Sequence, residues 1–214
     1  MKRDRLLRIA LACLFGLAIA GILAWTTIRH DERRAAATNG AAGTGTASVG
    51  GPFSLVDHTG QPVTDQDYAG RYMLVFFGFT FCPDICPTEL QTIAQAMDQL
   101  SPEEQDQVQP LFITIDPERD RPAVLAEYVN LFHPRIVGLT GTPEQVAAAA
   151  KAYRAYYARS KEAGDGPDYM MDHSTFVYLM GRDGHFISLF RNGVTADELV
   201  TALRAELAKK TDAR

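Results

Sequence analysis

Two cysteines separated by three residues, Cys82 and Cys86, are the side chains of this sequence best suited to chemistry. They follow an apolar run at 72–77 that predicts a buried strand, and they precede a segment at 88–100 whose apolar residues recur at helical spacing. Pro87 suits the first position of that helix. The free N–H groups and the dipole at a helix start favour a thiolate, which is the form that redox steps and soft metals require.

An inert structural disulfide is the competing interpretation of Cys82 and Cys86, since exported proteins use disulfides. A bridge across so few residues removes little chain entropy and therefore stabilises weakly. The placement of both thiols at the start of a helix favours a functional pair. The third cysteine, Cys13, lies in an apolar N-terminal run and is predicted to be a small residue buried in the membrane.

The elements that surround the cysteines predict an α/β, thioredoxin-like fold with a mixed central sheet flanked by helices. The cysteine helix is followed by predicted elements at 108–115 (strand), 121–132 (helix), 136–139 (strand), 142–157 (helix), 175–191 (hairpin) and 195–209 (helix). An N-terminal hairpin at 53–63 and the strand and helix at 136–157 are expected additions to the basic fold. The cysteines then lie at the C-terminal end of a central strand, where this fold places its reactive loop.

An imidazole, that of His173, is the third candidate ligand. It belongs to the segment at 169–174, which leads into a strand after a polar loop at 160–168. Thioredoxins place a cis-proline opposite their cysteines at this point of the fold, whereas this segment contains no proline. Two thiolates and one imidazole are a ligand set for copper. Three protein donors suit Cu(I) in trigonal geometry, and Cu(II) would recruit a further N or O donor or water.

Four nearby residues have weaker cases. Asp116 follows the second buried strand and begins the segment at 116–120. This segment either places a carboxylate near the site, or forms part of a surface that docks a partner, or is simply a polar turn. Asp172 could orient the imidazole, although adjacent residues of an extended segment point apart. Met170 and Met171 are candidate soft ligands, but methionines near a strand start usually pack. The other histidines are assigned no metal role: His30, His58, His133 and His185.

The N-terminal residues predict a membrane anchor. Residues 9–28 form an uncharged stretch of 20 positions, and a helix needs about 20 apolar residues to cross a bilayer. A signal peptide cleaved after Ala20 is the alternative, but the apolar run continues to Trp25. Four basic residues in 1–8 and three shortly after the span favour a cytoplasmic N-terminus at the inner membrane. The rest of the chain would face the periplasm.

Two further segments complete the predicted organisation. Residues 29–51 are predicted to be a flexible tether, because 35–51 is rich in Ala, Gly, Thr and Ser. Residues 52–214 form a single predicted domain, large enough for its own core. A net charge of −5 and the lack of a basic, aromatic-rich patch argue against nucleic acid as a partner.

Three segments, 76–90, 114–120 and 168–175, closely resemble the motifs of the Sco (SenC/PrrC) family, in the family's order. The resemblance implies a thioredoxin-like protein that holds copper through Cys82, Cys86 and His173. It further implies assembly of cytochrome c oxidase at the copper A centre of subunit II. One departure is Phe81, where many members carry histidine or tyrosine, and it removes no proposed ligand.

These observations leave three hypotheses in order of preference. The first is a copper metallochaperone, which is not an enzyme. Its expected partners are subunit II and other periplasmic copper chaperones or thiol reductants. The second is a thiol–disulfide oxidoreductase that keeps acceptor cysteines reduced and uses Cys82 and Cys86 without His173. The third is a redox or copper sensor, which ranks last because the sequence contains no recognisable output domain.

Overall fold

The structure is a computed structural model that describes residues 49–160 and 169–209. The predicted anchor at 9–28, most of the predicted tether and nearly all of the polar loop at 160–168 lie outside the described residues. Along the described ranges, no helix combines the length and the hydrophobicity that a bilayer span requires.

A seven-stranded mixed sheet forms the centre of the described residues, and two further strands pair separately. The strands are β1 (Ser54–Asp57), β2 (Pro62–Thr64), β3 (Tyr72–Gly78), β4 (Val108–Thr114), β5 (Val137–Thr140), β6 (Tyr157–Arg159), β7 (Met171–His173), β8 (Phe176–Met180) and β9 (Phe186–Arg191). The sheet order is β2-β1-β5-β4-β3-β8-β9, with β3, β4 and β5 parallel and the outer pairs antiparallel. Strands β3 and β4 are buried at every position, as their continuous apolar runs predicted.

Helices cover both faces of this sheet. They are α1 (Ile85–Asp98), α2 (Pro102–Gln105), α3 (Pro122–Asn130), α4 (Pro143–Tyr153) and α5 (Ala196–Lys209), with a 3-10 helix at Asp65–Tyr68. Phe76 and Phe77 of β3 point to opposite faces, because adjacent strand residues alternate. The Phe76 ring packs on Phe112, which meets Tyr128 of α3, whereas Phe77 meets Tyr153 of α4. The predicted arrangement of a mixed sheet between helices is therefore confirmed.

The main departure from the predicted elements follows α4. The predicted helix at 142–157 ends at Tyr153, because Arg154 adopts a left-handed conformation with a φ of 55°. The next residues form β6, which pairs antiparallel with β7 and makes a small two-stranded ribbon. The ribbon was not predicted, and neither were α2 and the 3-10 helix. Its second strand carries His173, so this error concerns the part of the fold that positions a candidate ligand.

Candidate metal site

Three candidate ligands predicted from the sequence lie together at one edge of the sheet. The ligand atoms of Cys82, Cys86 and His173 are all within 4.8 Å of one another. Cys86 Sγ and His173 Nε2 are 3.6 Å apart. Metal bonds of about 2.0–2.3 Å to nitrogen and sulfur place the ligands of one ion roughly 3.3–4.6 Å apart. The three donors therefore fit a single soft metal ion with little rearrangement.

The cysteines occupy the connection from β3 to α1. Cys86 is the second residue of α1 and is fully buried, whereas Cys82 precedes the helix and is partly exposed. Close packing holds the Cys86 sulfur against the end of β3. A Cβ atom added to Gly78 would lie 2.8 Å from Cys86 Sγ and 2.8 Å from the Phe112 ring. Cys86 Sγ can therefore occupy this position because residue 78 is a glycine and has no Cβ atom.

The two thiols differ in pKa because one hydrogen bond joins them, in which Cys86 is the donor and Cys82 is the acceptor. The hydrogen bond from the Cys86 thiol, with a smaller contribution from the Cys86 backbone N–H, lowers the pKa of Cys82 to about 4. The Cys86 N–H lies 3.4 Å from Cys82 Sγ. The same hydrogen bond to Cys82, together with burial, raises the pKa of Cys86. These opposite shifts favour a pair in which, at neutral pH, the Cys82 thiolate accepts a hydrogen bond from the Cys86 thiol.

His173 is presented by the ribbon and oriented by its own backbone. In β7 it pairs with Tyr157 of β6, and Ser174 extends the pairing through its N–H to the Tyr156 carbonyl at 2.9 Å. Nδ1 of His173 lies 3.0 Å from the Ser174 carbonyl oxygen. A carbonyl can only accept, so Nδ1 carries the proton and the Nε2 lone pair faces the cysteines. The Phe79 ring stands edge-on to the imidazole at 5.8 Å and limits its rotation.

The weaker candidates of this ribbon take other roles. Asp172 is exposed on the opposite side of β7 from His173, and the Ser174 carbonyl occupies the position for which Asp172 was considered. Asp172 is therefore not placed to orient the imidazole. Met170 and Met171 pack partly against the core, and they line a cleft of about 350 Å³ together with Cys82 and His173.

The segment at 116–120 connects the two halves of the site. Asp116 is buried, accepts from the Tyr169 hydroxyl at 2.6 Å and pairs with Arg119. The Arg119 guanidinium lies 3.7 Å from the Tyr169 ring centroid and 4.7 Å from that of Phe81, which precedes Cys82. Asp116 therefore supports the start of the His173 segment rather than approaching the ligands.

A second carboxylate of that segment, Asp120, holds the cysteine loop itself. It accepts hydrogen bonds from the backbone N–H of Thr80 at 3.0 Å and from the Thr80 hydroxyl at 2.6 Å. The sequence indicates an acidic turn at 116–120 but does not distinguish Asp120 within it. The available signal was its position at the end of a strand parallel to β3, which places the turn beside the cysteine loop.

The other histidines of the described residues have structural partners away from the cysteines. His58 accepts from the Gly138 N–H at 3.1 Å, and His133 accepts from the Arg135 N–H at 3.1 Å. His185 lies at the hairpin turn beside Asp183. The assignment of no metal role to these three is consistent with their positions, and His30 lies outside the described residues.

Comparison with known proteins decides the family. Residues 41–208 match the SCO1/SenC family model. The chain belongs to the SCO1/SenC family. The mitochondrial SCO2 homolog of Mus musculus is 41% identical over 203 residues, which is 94% of this chain and 78% of that protein. The mitochondrial SCO1 homolog of Homo sapiens is 47% identical over 161 residues, which is 73% of this chain and 53% of that protein.

Solved structures of Sco proteins share the fold. Copper-bound ScoI of Arabidopsis thaliana has a TM-score of 0.68 and 38% identity, and the match covers 76% of this chain and 99% of that one. Copper-bound yeast Sco1 has a TM-score of 0.69 and 42% identity, covering 75% and 89%. The predicted family and the thioredoxin-like fold of this Sco chain are thereby confirmed.

The asymmetry of the thiols predicts selective alkylation. In the reduced, copper-free Sco domain, iodoacetamide is expected to modify Cys82 at a rate that stays nearly constant from about pH 8 to about pH 5, because its thiolate persists. Cys86 is expected to stay unmodified over that range. Mass spectrometry of timed samples measures both rates. The urea-unfolded chain is the control, where both thiols titrate near the ordinary pKa of about 8.5. Equal rates for the two folded cysteines would contradict the assignment.

The contact at Gly78 predicts a packing defect. Gly78→Ala is expected to lower the free energy of unfolding by about 1–3 kcal/mol, because the new methyl group overlaps Cys86 Sγ and the Phe112 ring. Urea denaturation of the copper-free domain measures the change. A double-mutant cycle with Cys86→Ala is expected to recover part of the loss, since it removes one of the two overlaps. Simple additivity of the two substitutions would show that the sulfur does not set the requirement.

Proposed function

We propose that this Sco protein is a membrane-anchored metallochaperone that binds copper through Cys82, Cys86 and His173. In this proposal it delivers the metal to the copper A centre of cytochrome c oxidase subunit II during assembly of the oxidase. The convergence of two sulfurs with one imidazole, contributed by segments 87 residues apart in sequence between Cys86 and His173, carries the proposal. Copper-bound structures of the Arabidopsis and yeast Sco relatives support the choice of metal.

The chemistry of the donors favours copper over harder ions. Thiolate sulfur is a soft ligand that selects Cu(I), and imidazole also suits copper. One thiolate is already present at neutral pH, and the metal would displace the remaining thiol proton of Cys86. The oriented lone pair of His173 needs no further preparation, because Nδ1 is already held by the Ser174 carbonyl.

The accessibility of the site suits transfer rather than storage. Cys82 is partly exposed and borders the open cleft, while Cys86 is buried beneath it. An incoming thiolate or imidazole of an acceptor can therefore approach from the Cys82 side. Exchange of one ligand at a time keeps the copper coordinated throughout, which avoids release of the free ion.

The proposed location follows from the N-terminal sequence. Residues 9–28 would anchor the chain in the inner membrane, with residues 52–214 on the periplasmic side and 29–51 as the tether. A site with two cysteines in an oxidising space needs reduced thiols to take up copper. Periplasmic copper chaperones and thiol reductants are therefore proposed partners in addition to subunit II.

A thiol–disulfide oxidoreductase is the second candidate, and the unequal acidity of the cysteines favours it. The Cys82 thiolate would attack a partner disulfide, form a mixed disulfide and release one partner thiolate. Cys86, after losing its proton, would attack Cys82 and release the second partner thiol. The protein ends as the Cys82–Cys86 disulfide, and two electrons have passed to the partner. His173 is not required for this sequence.

Copper titration separates the two candidates. His173→Ala is expected to weaken Cu(I) binding by at least about 10–100-fold in competition with a chromophoric chelator, because one of three donors is lost. Cys82→Ser and Cys86→Ser are expected to weaken it further. His185→Ala is the matched control, since this exposed histidine lies at the distant hairpin turn. Native copper affinity in the His173→Ala protein would exclude the proposed ligand set.

Delivery itself is tested with the isolated acceptor. The Cu(I)-loaded wild-type domain is expected to lose its metal to the reduced, metal-free copper A domain of subunit II, and metal analysis of the two separated proteins measures the transfer. If the protein is instead only a reductant, it converts the oxidised acceptor to its dithiol form without transferring metal, and His173→Ala does so equally well.

A further inference from the structure

Asp120 is a fully buried carboxylate directly behind the cysteine loop. One of its oxygens accepts from the Thr80 hydroxyl at 2.6 Å. The other accepts from the Thr80 N–H at 3.0 Å and from the Thr114 hydroxyl at 2.6 Å. Both oxygens thus accept hydroxyl donors, which is the pattern that an ionised carboxylate takes.

These hydrogen bonds join the ends of two neighbouring strands. Thr114 is the last residue of β4, and Thr80 lies just after β3, two residues before Cys82. The direction of the Thr114 hydroxyl is fixed, because its oxygen accepts from the Asp116 N–H at 2.9 Å while it donates to Asp120. The carboxylate therefore fastens the first residues of the cysteine loop to the neighbouring strand.

Within the part of the chain that the structure describes, no cation pairs with the charge of Asp120. Arg119 pairs with Asp116, and among the described residues no lysine or arginine forms an ion pair with Asp120. Burial raises the pKa of Asp120. The Asp120 charge also adds to the effects of Cys82 and burial that raise the pKa of Cys86. Thr80, which donates to the carboxylate, lies two residues before Cys82, so the charge lies beside the cysteine loop.

We propose that Asp120 is a positioning residue of the site, which holds the Cys82 loop through Thr80 and whose buried negative charge favours the Cu(II)-loaded state over the Cu(I)-loaded state. The charge inference rests on the proposed copper function. Two thiolates and a neutral imidazole carry one net negative charge with Cu(I) and none with Cu(II). A nearby fixed anion therefore opposes the reduced state more strongly, and a low-dielectric surrounding enlarges the effect.

The test compares Asp120→Asn with Glu118→Gln, which removes an exposed carboxylate of the same turn. For Asp120→Asn, the ratio of Cu(I) affinity to Cu(II) affinity is expected to rise about tenfold, equivalent to about 59 mV for a one-electron couple. Glu118→Gln is expected to leave the ratio unchanged. An Asp120→Asn protein that folds and behaves like Glu118→Gln would overturn the charge effect.

A copper-free measurement keeps this test independent of the proposed function. Equilibration with glutathione is expected to show the Cys82–Cys86 disulfide of Asp120→Asn shifted several-fold toward the dithiol, because the reduced pair carries a thiolate. If His173→Ala leaves copper affinity unchanged while this shift is present, the copper function fails and the charge effect stands. If the shift is absent while His173→Ala weakens copper binding, the charge effect fails and the copper function stands.

The positioning effect is tested at Thr80, which also covers the case in which Asp120→Asn does not fold. Thr80→Val removes the hydroxyl donor and keeps the charge, so both copper affinities are expected to fall several-fold while their ratio is maintained. Thr80→Ser retains the hydroxyl and is expected to restore the wild-type affinities and Cu(II) spectrum. Wild-type affinities and Cu(II) spectrum in the Thr80→Val protein would overturn the positioning role.

Discussion

The parallel pairing of β3 with β4 is the constraint on which the site depends. It sets Gly78 beside Thr114, so the chain segments that leave both strands emerge at the same edge of the sheet. One segment becomes the cysteine loop, and the other becomes the acidic turn that holds that loop through Asp120. The pairing is buried along its whole length, with seven consecutive buried residues on each strand. The strand end from which the cysteine loop starts is therefore held rigidly by the packed core.

The second constraint is the cost of placing a thiolate at the edge of an apolar core. The fold limits this cost by keeping only one thiolate, on the more exposed Cys82, and by supplying Cys86 as its donor. A second negative charge, on the buried Cys86, is disfavoured unless a cation binds nearby. A metal cation is the simplest species that removes this penalty, because it binds both sulfurs and offsets their charge. The lowered pKa of Cys82 and the raised pKa of Cys86 therefore favour one thiolate in the pair, and a cation would favour two.

Much of this arrangement could be predicted from the sequence because it depends on local patterns. Continuous apolar runs identified β3 and β4, and the strand-to-helix position of Cys82 and Cys86 followed from them. The ribbon could not be predicted in this way. No glycine marks the end of α4, and Arg154 adopts its left-handed conformation without a sequence signal. The contact between Asp120 and Thr80 could not be predicted either, because it joins residues 40 positions apart in the sequence.

The three candidate ligands are consequently held with unequal strength. Cys86 belongs to a helix packed on the sheet, whereas His173 lies in a two-stranded ribbon, and such ribbons are only marginally stable alone. The ribbon depends on added contacts, above all the Tyr169 ring between the guanidinium groups of Arg119 and Arg159, each 3.7 Å from its centroid. Displacing the imidazole therefore disturbs mainly the ribbon, while displacing Cys86 would disturb the core. A site built from one rigid and one weakly supported half can open at the imidazole and keep both sulfurs in place.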